Sequence, residues 1–473
     1  MSSICTSNVT SGFIDLATFD ELEKYCYGGP DATAYFVRET RKSTWFTQVP
    51  VVLSRASGSP AFGQEWSVSI SRAGDYLLHT WLRVTTPKIV ATPETGSGAT
   101  AQKTHLRWTR NFMHNLVREC CITFNDLVAA RFDNFHLDFW AAFTVPAGKQ
   151  NGYNAMIGNF DEMTSPQTEI KSFTLNLPLP FFFCRDSGVA LPTAALPYND
   201  MRLNFNFRDW DELLIANVTG LAASSQYYPE FPWRRAVLTD ISGGSAPQIG
   251  TTQVWANYAI VSNDERKRMG CAPRDILIEQ VQTAPRQTFS PSSVANPQYD
   301  IRFSHAIKVL FFSCRNTTIL SEWSNYTTAP PSTKTITNAT VFELQSTNAS
   351  DPIITTSLIY ENTQRLACMG SDYFSLVNPY YFAPIIPTAT GFHMYSYSLD
   401  FISLDPMGST NYGKLTNVSI APVASESAIN ASKGIEVTGD TQSMVLQTFE
   451  FITTAVNNNI IRVSGGALGF PVL

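Results

Sequence analysis

The chain repeats one pattern of segments in its two halves, and this constrains its architecture more than any single motif. Trp45–Leu53 (WFTQVPVVL) resembles Ile276–Ala284 (ILIEQVQTA). Trp66–Ala73 and Asp75–Val84 are answered by Tyr299–Ala306 and Ile307–Cys314, and Tyr198–Phe207 by Tyr412–Ile420. Each half closes on a similar segment, Val254–Asn263 and then Phe449–Asn458. The common order carries the repeat, since each match alone is weak. The segments are short, rich in β-branched and aromatic residues, and bounded by Gly, Pro, Asn and Ser, as strands are. At Met201, Leu203, Phe205 and Phe207, apolar side chains alternate with Arg202, Asn204, Asn206 and Arg208. That spacing describes a half-buried strand of a sandwich. Two copies of roughly eight such strands predict an all-β chain of two tandem jelly rolls, with few short helices.

The expected domains are an N-terminal arm with a short helix over 1–35, a first jelly roll over 36–269 and a second over 270–473. A length of 473 residues accommodates this, because β sandwiches often run to roughly 200–250 residues each. In the arm, Thr18–Glu21 reads as a capping box, followed by an apolar stripe of Phe19, Leu22, Tyr25 and Cys26 and a stop at Gly28–Gly29. A second helix is expected from Asp133 to about Thr144, with Phe135, Phe139 and Phe143 on one face as core packing and Pro146 as its stop. Ser371–Val377 is its shorter counterpart. Long polar insertions fall at matching places: Thr86–Thr104 with Asn316–Pro352, and Asp209–Gln253 with Pro422–Ser443. In a jelly roll they should crown one end, where solvent tolerates extra length.

Charge and chemistry exclude several functions. The net charge is −6, and the compact basic cluster Arg266–Lys267–Arg268 reads as a solvated strand end, so direct nucleic-acid binding is not expected. Met1–Thr10 has neither a basic nor an apolar signal region, and no stretch is apolar for the ~18 residues that a spanning helix needs. The eight cysteines are therefore read as free thiols of a reducing compartment; Cys120 and Cys121, adjacent on a strand, point to opposite faces. Nucleophile elbow, phosphate loop, dinucleotide fingerprint and metal-ligand spacings are all missing. No catalytic residue, metal ligand or cofactor is expected. The acidic groups Asp161–Glu162, Asp209, Asp211–Glu212 and Asp264–Glu265 sit in or beside polar loops and are read as solvated. Asn325 and Asn338 are two of eight Asn-x-Ser/Thr sequons, which an Asn- and Thr-rich chain produces by chance; without a signal region they are expected to be unmodified.

Six segments carry a resemblance. Leu177–Pro192 (LPLPFFFCRDSGVALP), continuing through Ala195–Tyr198, and Asp405–Asn411 (DPMGSTN) resemble signatures of the double-jelly-roll capsid proteins of nucleocytoplasmic large DNA viruses. Asn115–Glu119, Phe124–Leu127, Tyr153–Asn159 and Gly465–Leu473 resemble the iridovirus members, nearest the invertebrate iridescent type, and the likeness spans nearly the whole chain. The resemblance implies a structural subunit that forms pseudo-hexameric homotrimers tiling an icosahedral shell. It also implies a place in the virion, assembly in the host cytoplasm, and contact of the arm with minor capsid proteins or an inner lipid membrane. A carbohydrate-binding adhesin and a jelly-roll glycosidase or lyase are the alternatives; a stable trimer separates the capsid reading from both.

Overall fold

The alternation at Met201–Phe207 becomes a strand whose Met201, Leu203, Phe205 and Phe207 are buried and whose intervening polar residues are half-buried. Strands of this kind build the molecule, whose computed structural model describes residues 8–96, 103–219, 233–291, 297–328, 350–433 and 447–470. In the first half a four-stranded sheet runs in the order Phe46–Val52, Thr252–Val261, Tyr76–Thr85, Thr174–Pro178. Its partner sheet has the order Ser54–Gly58, Glu65–Ser69, Met201–Phe207, Val117–Phe124, Leu127–Asp133. The second half repeats this as Arg274–Thr283, Phe449–Ser464, Ala306–Asn316, His393–Ser396. Its partner sheet is Tyr299–Asp300, Val418–Ala424, Ile353–Tyr360, Thr363–Gly370. Apart from the edge strand Ser54–Gly58 in the first half and the short strands Gln287–Phe289, Thr410–Asn411 and Ala467–Gly469 that also join the second half's larger sheet, the orders correspond strand for strand. All these pairings are antiparallel.

In each half the two sheets share a core. Leu82, Val84, Val254 and Ala256 of one sheet meet Val68, Ile122, Leu203 and Phe205 of the other in the first. Leu310, Phe312 and Phe451 meet Leu358, Val418 and Ile420 in the second. The matched segments differ in regularity. Of Tyr299–Ala306 only Tyr299–Asp300 pairs as a strand before Ala306 opens the next one. Tyr412–Lys414 forms a 3-10 turn ahead of the strand Val418–Ala424.

Contacts divide the chain into Met1–Trp45 and Phe46–Leu473. In the first unit the expected single helix is two, Val9–Ala17 and Glu21–Cys26. The capping box is Asp20–Glu23 and not Thr18–Glu21: Asp20 accepts from the Leu22 amide at 2.9 Å and Glu23 reaches back to the Asp20 amide at 3.2 Å. Thr18 is occupied in closing the preceding helix, its hydroxyl donating to the Ile14 carbonyl at 3.0 Å. No residue of either helix is buried, and Phe19, Leu22 and Tyr25 are exposed.

Two further expectations change. Arg266–Lys267–Arg268 lies on a helix, Asn263–Cys271, not at a strand end. There Arg266 grips the buried Asp75 with Nε at 2.7 Å and Nη2 at 2.9 Å, while the Val261 amide donates to the same carboxylate at 2.9 Å. The insertions are also more structured than polar loops. Leu214–Thr219 and Trp233–Arg235 of the second insertion pair in a three-stranded sheet with Lys103–Trp108, which starts at the end of the first insertion. The Asn316–Pro352 insertion joins them, with Ser321 donating to the Asp211 carbonyl and Trp323 Nε1 to that of Glu212. Asn316 reaches Gln447, beside the fourth insertion, at 2.9 Å.

Candidate functional site: the junction of the two sandwiches

The segment Asn134–Thr144 (NFHLDFWAAFT) is apolar on nearly every side, and a helix with that character is buried all round. Asp133 caps it by accepting from the His136 amide at 2.9 Å. Phe135, Phe139 and Phe143 are buried as expected, but what they meet is the other sandwich. Phe139 stacks on Phe311 with centroids 5.7 Å apart, Phe143 stacks on Phe311 at 5.4 Å, and Phe392 stands edge-on to Phe139 at 5.8 Å. Trp140 meets Phe401 edge-on at 5.8 Å, and Phe401 stands edge-on to Phe311 in turn. The apolar core of the first half thereby continues into Val309, Phe311, Met394, Ile452 and Val456 of the second. Aromatic pairs of this geometry add roughly 0.5–1.5 kcal/mol each beyond their burial.

Polar groups on the same helix fix the register of the contact. The buried Asp138 accepts from Asn111 at 3.1 Å on its own side, and from Ser324 at 2.9 Å and Tyr326 at 2.8 Å across the junction. His114 places Nδ1 2.7 Å from the same carboxylate and Nε2 2.6 Å from the Tyr153 hydroxyl. Burial, and then the Asp138 charge, push the phenols of Tyr153 and Tyr326 upward, so both stay protonated as donors. A carboxylate with four partners has its lone pairs engaged, so it is a clamp and not a general base.

Two charged clusters complete the junction. Arg208 and Arg315 sandwich the Trp323 ring, with guanidinium carbons 3.7 and 3.9 Å from its centroid. Burial, and then the neighbouring Arg315 charge, pull Arg208 down to about 9. Arg208 donates to the Asn115 carbonyl at 3.0 Å and to Asn134 at 3.1 Å, and Arg315 donates to Glu450 at 2.7 Å. Nearby, the fully buried Arg107 pairs with Glu322 at 2.8 Å. At the other end Glu279 of the second half bonds Arg185 of the first and receives Lys308 Nζ at 2.5 Å. Arg185 in turn lies 3.9 Å over the Trp140 ring. Charges buried this deeply contribute little net stability but make misregistered contact costly. The arrangement holds two sandwiches as one rigid block.

The residues weighed for chemistry are dispersed. Asp161 and Glu162 are exposed on the short helix Asp161–Thr164. Asp211 pairs with Arg235 and Glu212 with Arg118. Asp209 caps the Trp210 amide at 2.7 Å, and Asp264 and Glu265 open the helix that follows Ser262. Among the described residues no three His, Cys, Asp or Glu side chains gather as metal ligands. The cleft of about 490 Å³ beside the junction is lined by Arg110, Gln150, Tyr153, Asn154 and Asp161 together with Asp138, whose oxygens are taken. Asn325 is half-buried, and its side-chain oxygen accepts from Thr327 N at 3.1 Å and Thr327 Oγ1 at 2.9 Å. Asn338 lies outside the described residues.

Fold and junction together define a class of building block, two like sandwiches locked side by side, and comparison with known proteins gives the same class. The family described as "Major capsid protein N-terminus" matches residues 34–261, and "Large eukaryotic DNA virus major capsid protein" matches residues 265–469. The chain belongs to the major capsid proteins of large eukaryotic DNA viruses. Within them it is 62% identical to the major capsid protein of Costelytra zealandica iridescent virus and 62% identical to that of Invertebrate iridescent virus 6, each over 100% of both chains. It is 49% identical to that of Lymphocystis disease virus 1 over 100% of both chains. The PBCV-1 virus capsid gives a TM-score of 0.67 at 20% identity, covering 93% of this chain and 100% of that one. The Faustovirus major capsid protein gives 0.67 at 12%, covering 92% and 93%. The double jelly roll is thus the fold of this chain, and a structural place in the viral capsid is its function.

Proposed function

We propose that three copies of the chain close into a homotrimer whose six sandwiches present a near-hexagonal outline, and that these trimers tile the icosahedral shell. The observation that carries this reading is the shared strand order of two sandwiches fixed side by side by Asn134–Thr144. A rigid block with approximate internal twofold likeness becomes sixfold-like when a closed threefold ring repeats it. In this reading 1–35 is an arm, 36–269 the first jelly roll and 270–473 the second. The arm, with its exposed Phe19, Leu22 and Tyr25, meets minor capsid proteins or the inner lipid membrane, and assembly proceeds in the host cytoplasm. Asn325 and Asn338 carry no glycan, the shell subunit makes no direct contact with nucleic acid, and no catalysis is assigned. The test is native mass: a stable species of three 52.4 kDa chains is expected, and a stable monomer overturns the trimer.

A further inference from the structure

Among the described residues of Phe46–Leu473, the same sheet face is covered in one sandwich and uncovered in the other. In the second sandwich, Phe311, Met394, Ile452 and Val456 lie on the outward face of the sheet Arg274–Thr283, Phe449–Ser464, Ala306–Asn316, His393–Ser396, and the helix Asn134–Thr144 packs over it. In the first sandwich the equivalent face carries an apolar row, one residue per strand. Val52 pairs with Trp255, Trp255 with Trp81, and Trp81 with Pro178. Trp81 and Trp255 stack in parallel 6.1 Å apart. Val52 is 40% exposed, Pro178 is exposed and both tryptophans are half-buried. The beginning of the row also lies on an edge: among the described residues the strand Phe46–Val52 bonds a neighbour on one side only and has Phe46 and Val49 exposed as well. An edge this apolar is a surface that natural proteins cover.

The second sandwich carries the element that would cover such a face. In the first sandwich the hairpin Val117–Phe124, Leu127–Asp133 runs directly into the covering helix. Its counterpart, Ile353–Tyr360 with Thr363–Gly370, runs into a π-helical turn, Tyr373–Val377, and then the helix Asn378–Phe382. There Leu376, Val377, Tyr380 and Tyr381 are 51%, 41%, 69% and 71% exposed. The subunit thus holds one completed junction together with the two unpaired halves of a second junction of the same kind, one on each sandwich.

We propose that Leu376, Val377, Tyr380 and Tyr381 of one copy of this chain pack on the row Val52, Trp255, Trp81 and Pro178 of the next. The contact between copies repeats the contact inside each copy. It is heterologous, because two different patches meet, and a heterologous contact whose rotation closes makes a ring, here of three copies. The occupant is a second copy because only the duplicated element order pairs these patches, as it pairs helix and sheet within the subunit. The inference rests on the homotrimer reading and names its surface.

The variants Tyr380→Glu/Tyr381→Glu and Val52→Lys change exposed side chains, so the far-ultraviolet circular dichroism of the subunit should stay as in the parent. Each is expected to lose the threefold native mass and run as a single chain. Mixed in equal amounts at concentrations where the parent trimerises, they retain one intact contact between them and should give a two-chain species that neither gives alone. Variants that stay trimeric overturn this surface while leaving the homotrimer intact. Monomeric variants that form no two-chain species show that the patches do not meet. A parent chain that is itself monomeric defeats the homotrimer reading instead.

Discussion

Asp138 and His136 sit two residues apart on one helix and do opposite electrostatic work. Asp138 gathers donors from both sandwiches. Asp138→Ala should leave those buried donors without a partner and lower stability by about 3–5 kcal/mol, read as a fall in melting temperature. His136 is buried beside Arg185, and burial first, then the Arg185 charge, hold its ring down to about 3 from an ordinary 6.5. Its folded value lies below its unfolded one, so the unfolded chain binds the extra proton between those limits. Stability from this group is complete above pH 6.5 and declines as pH falls toward 3. A melting-temperature profile over that range should be steeper for the parent than for His136→Phe; equal slopes contradict the assignment. The thiols divide in the same physical way. Cys120 and Cys314 are buried, and desolvation pushes both thiols up, whereas Cys26, Cys271 and Cys368 are exposed. Brief alkylation of the folded protein should label the exposed three and spare the buried two, and denaturation should release all eight thiols of the sequence. Rapid native labelling of Cys120 would contradict the packing.

Which elements could be anticipated depended on how strongly their sequences are patterned. Met201–Phe207 and the stripe of Phe135, Phe139 and Phe143 are strict periodicities, and strand and helix formed where they stand. The helix Ala147–Ile157 (AGKQNGYNAMI) carries two glycines and a polar run, so no apolar stripe marks it; Ile157 is fully buried and Tyr153 partly so. The capping box shifted by two residues because Thr18 and Asp20 are both competent caps and the preceding helix, itself unanticipated, had already engaged Thr18. The aromatic stripe read correctly as packing, but nothing in its spacing says that the packing is between sandwiches. Phe139→Ala should cost about 3–5 kcal/mol and loosen both halves together in one melting transition, measured by calorimetry. The arm is the contrasting element. Its helices span nine and six residues and are unburied, too short to persist alone in water. Deleting Met1–Gly29 should leave folded trimers of normal melting temperature and reduce the yield of shells seen by electron microscopy. Truncated protein that fails to trimerise, or melts many degrees lower, would place the arm in the core.

At the scale of the molecule, Phe46–Leu473 is two like sandwiches whose cores run together at their junction. Its division into two like sandwiches was legible in the repeated order of segments. The junction that joins them was not. The junction joins residues such as Asn115 and Ser324, 2.9 Å apart in space and 209 apart in sequence, and no local pattern encodes a contact at that separation. Arg185 and Glu279 show the same limit: one lies in a segment recognised by family likeness, the other in a strand recognised by repeat, and only folding brings them together. With that junction rigid, every unit of the shell should show six lobes of two alternating kinds. Electron cryo-microscopy of virions tests this directly, by fitting the subunit into the density of one capsomer. Three copies related by a threefold axis, each contributing two adjacent lobes with its internal junction unchanged, is the predicted result. Capsomers holding any other number of chains, or lobes of one chain separated from each other, would contradict it.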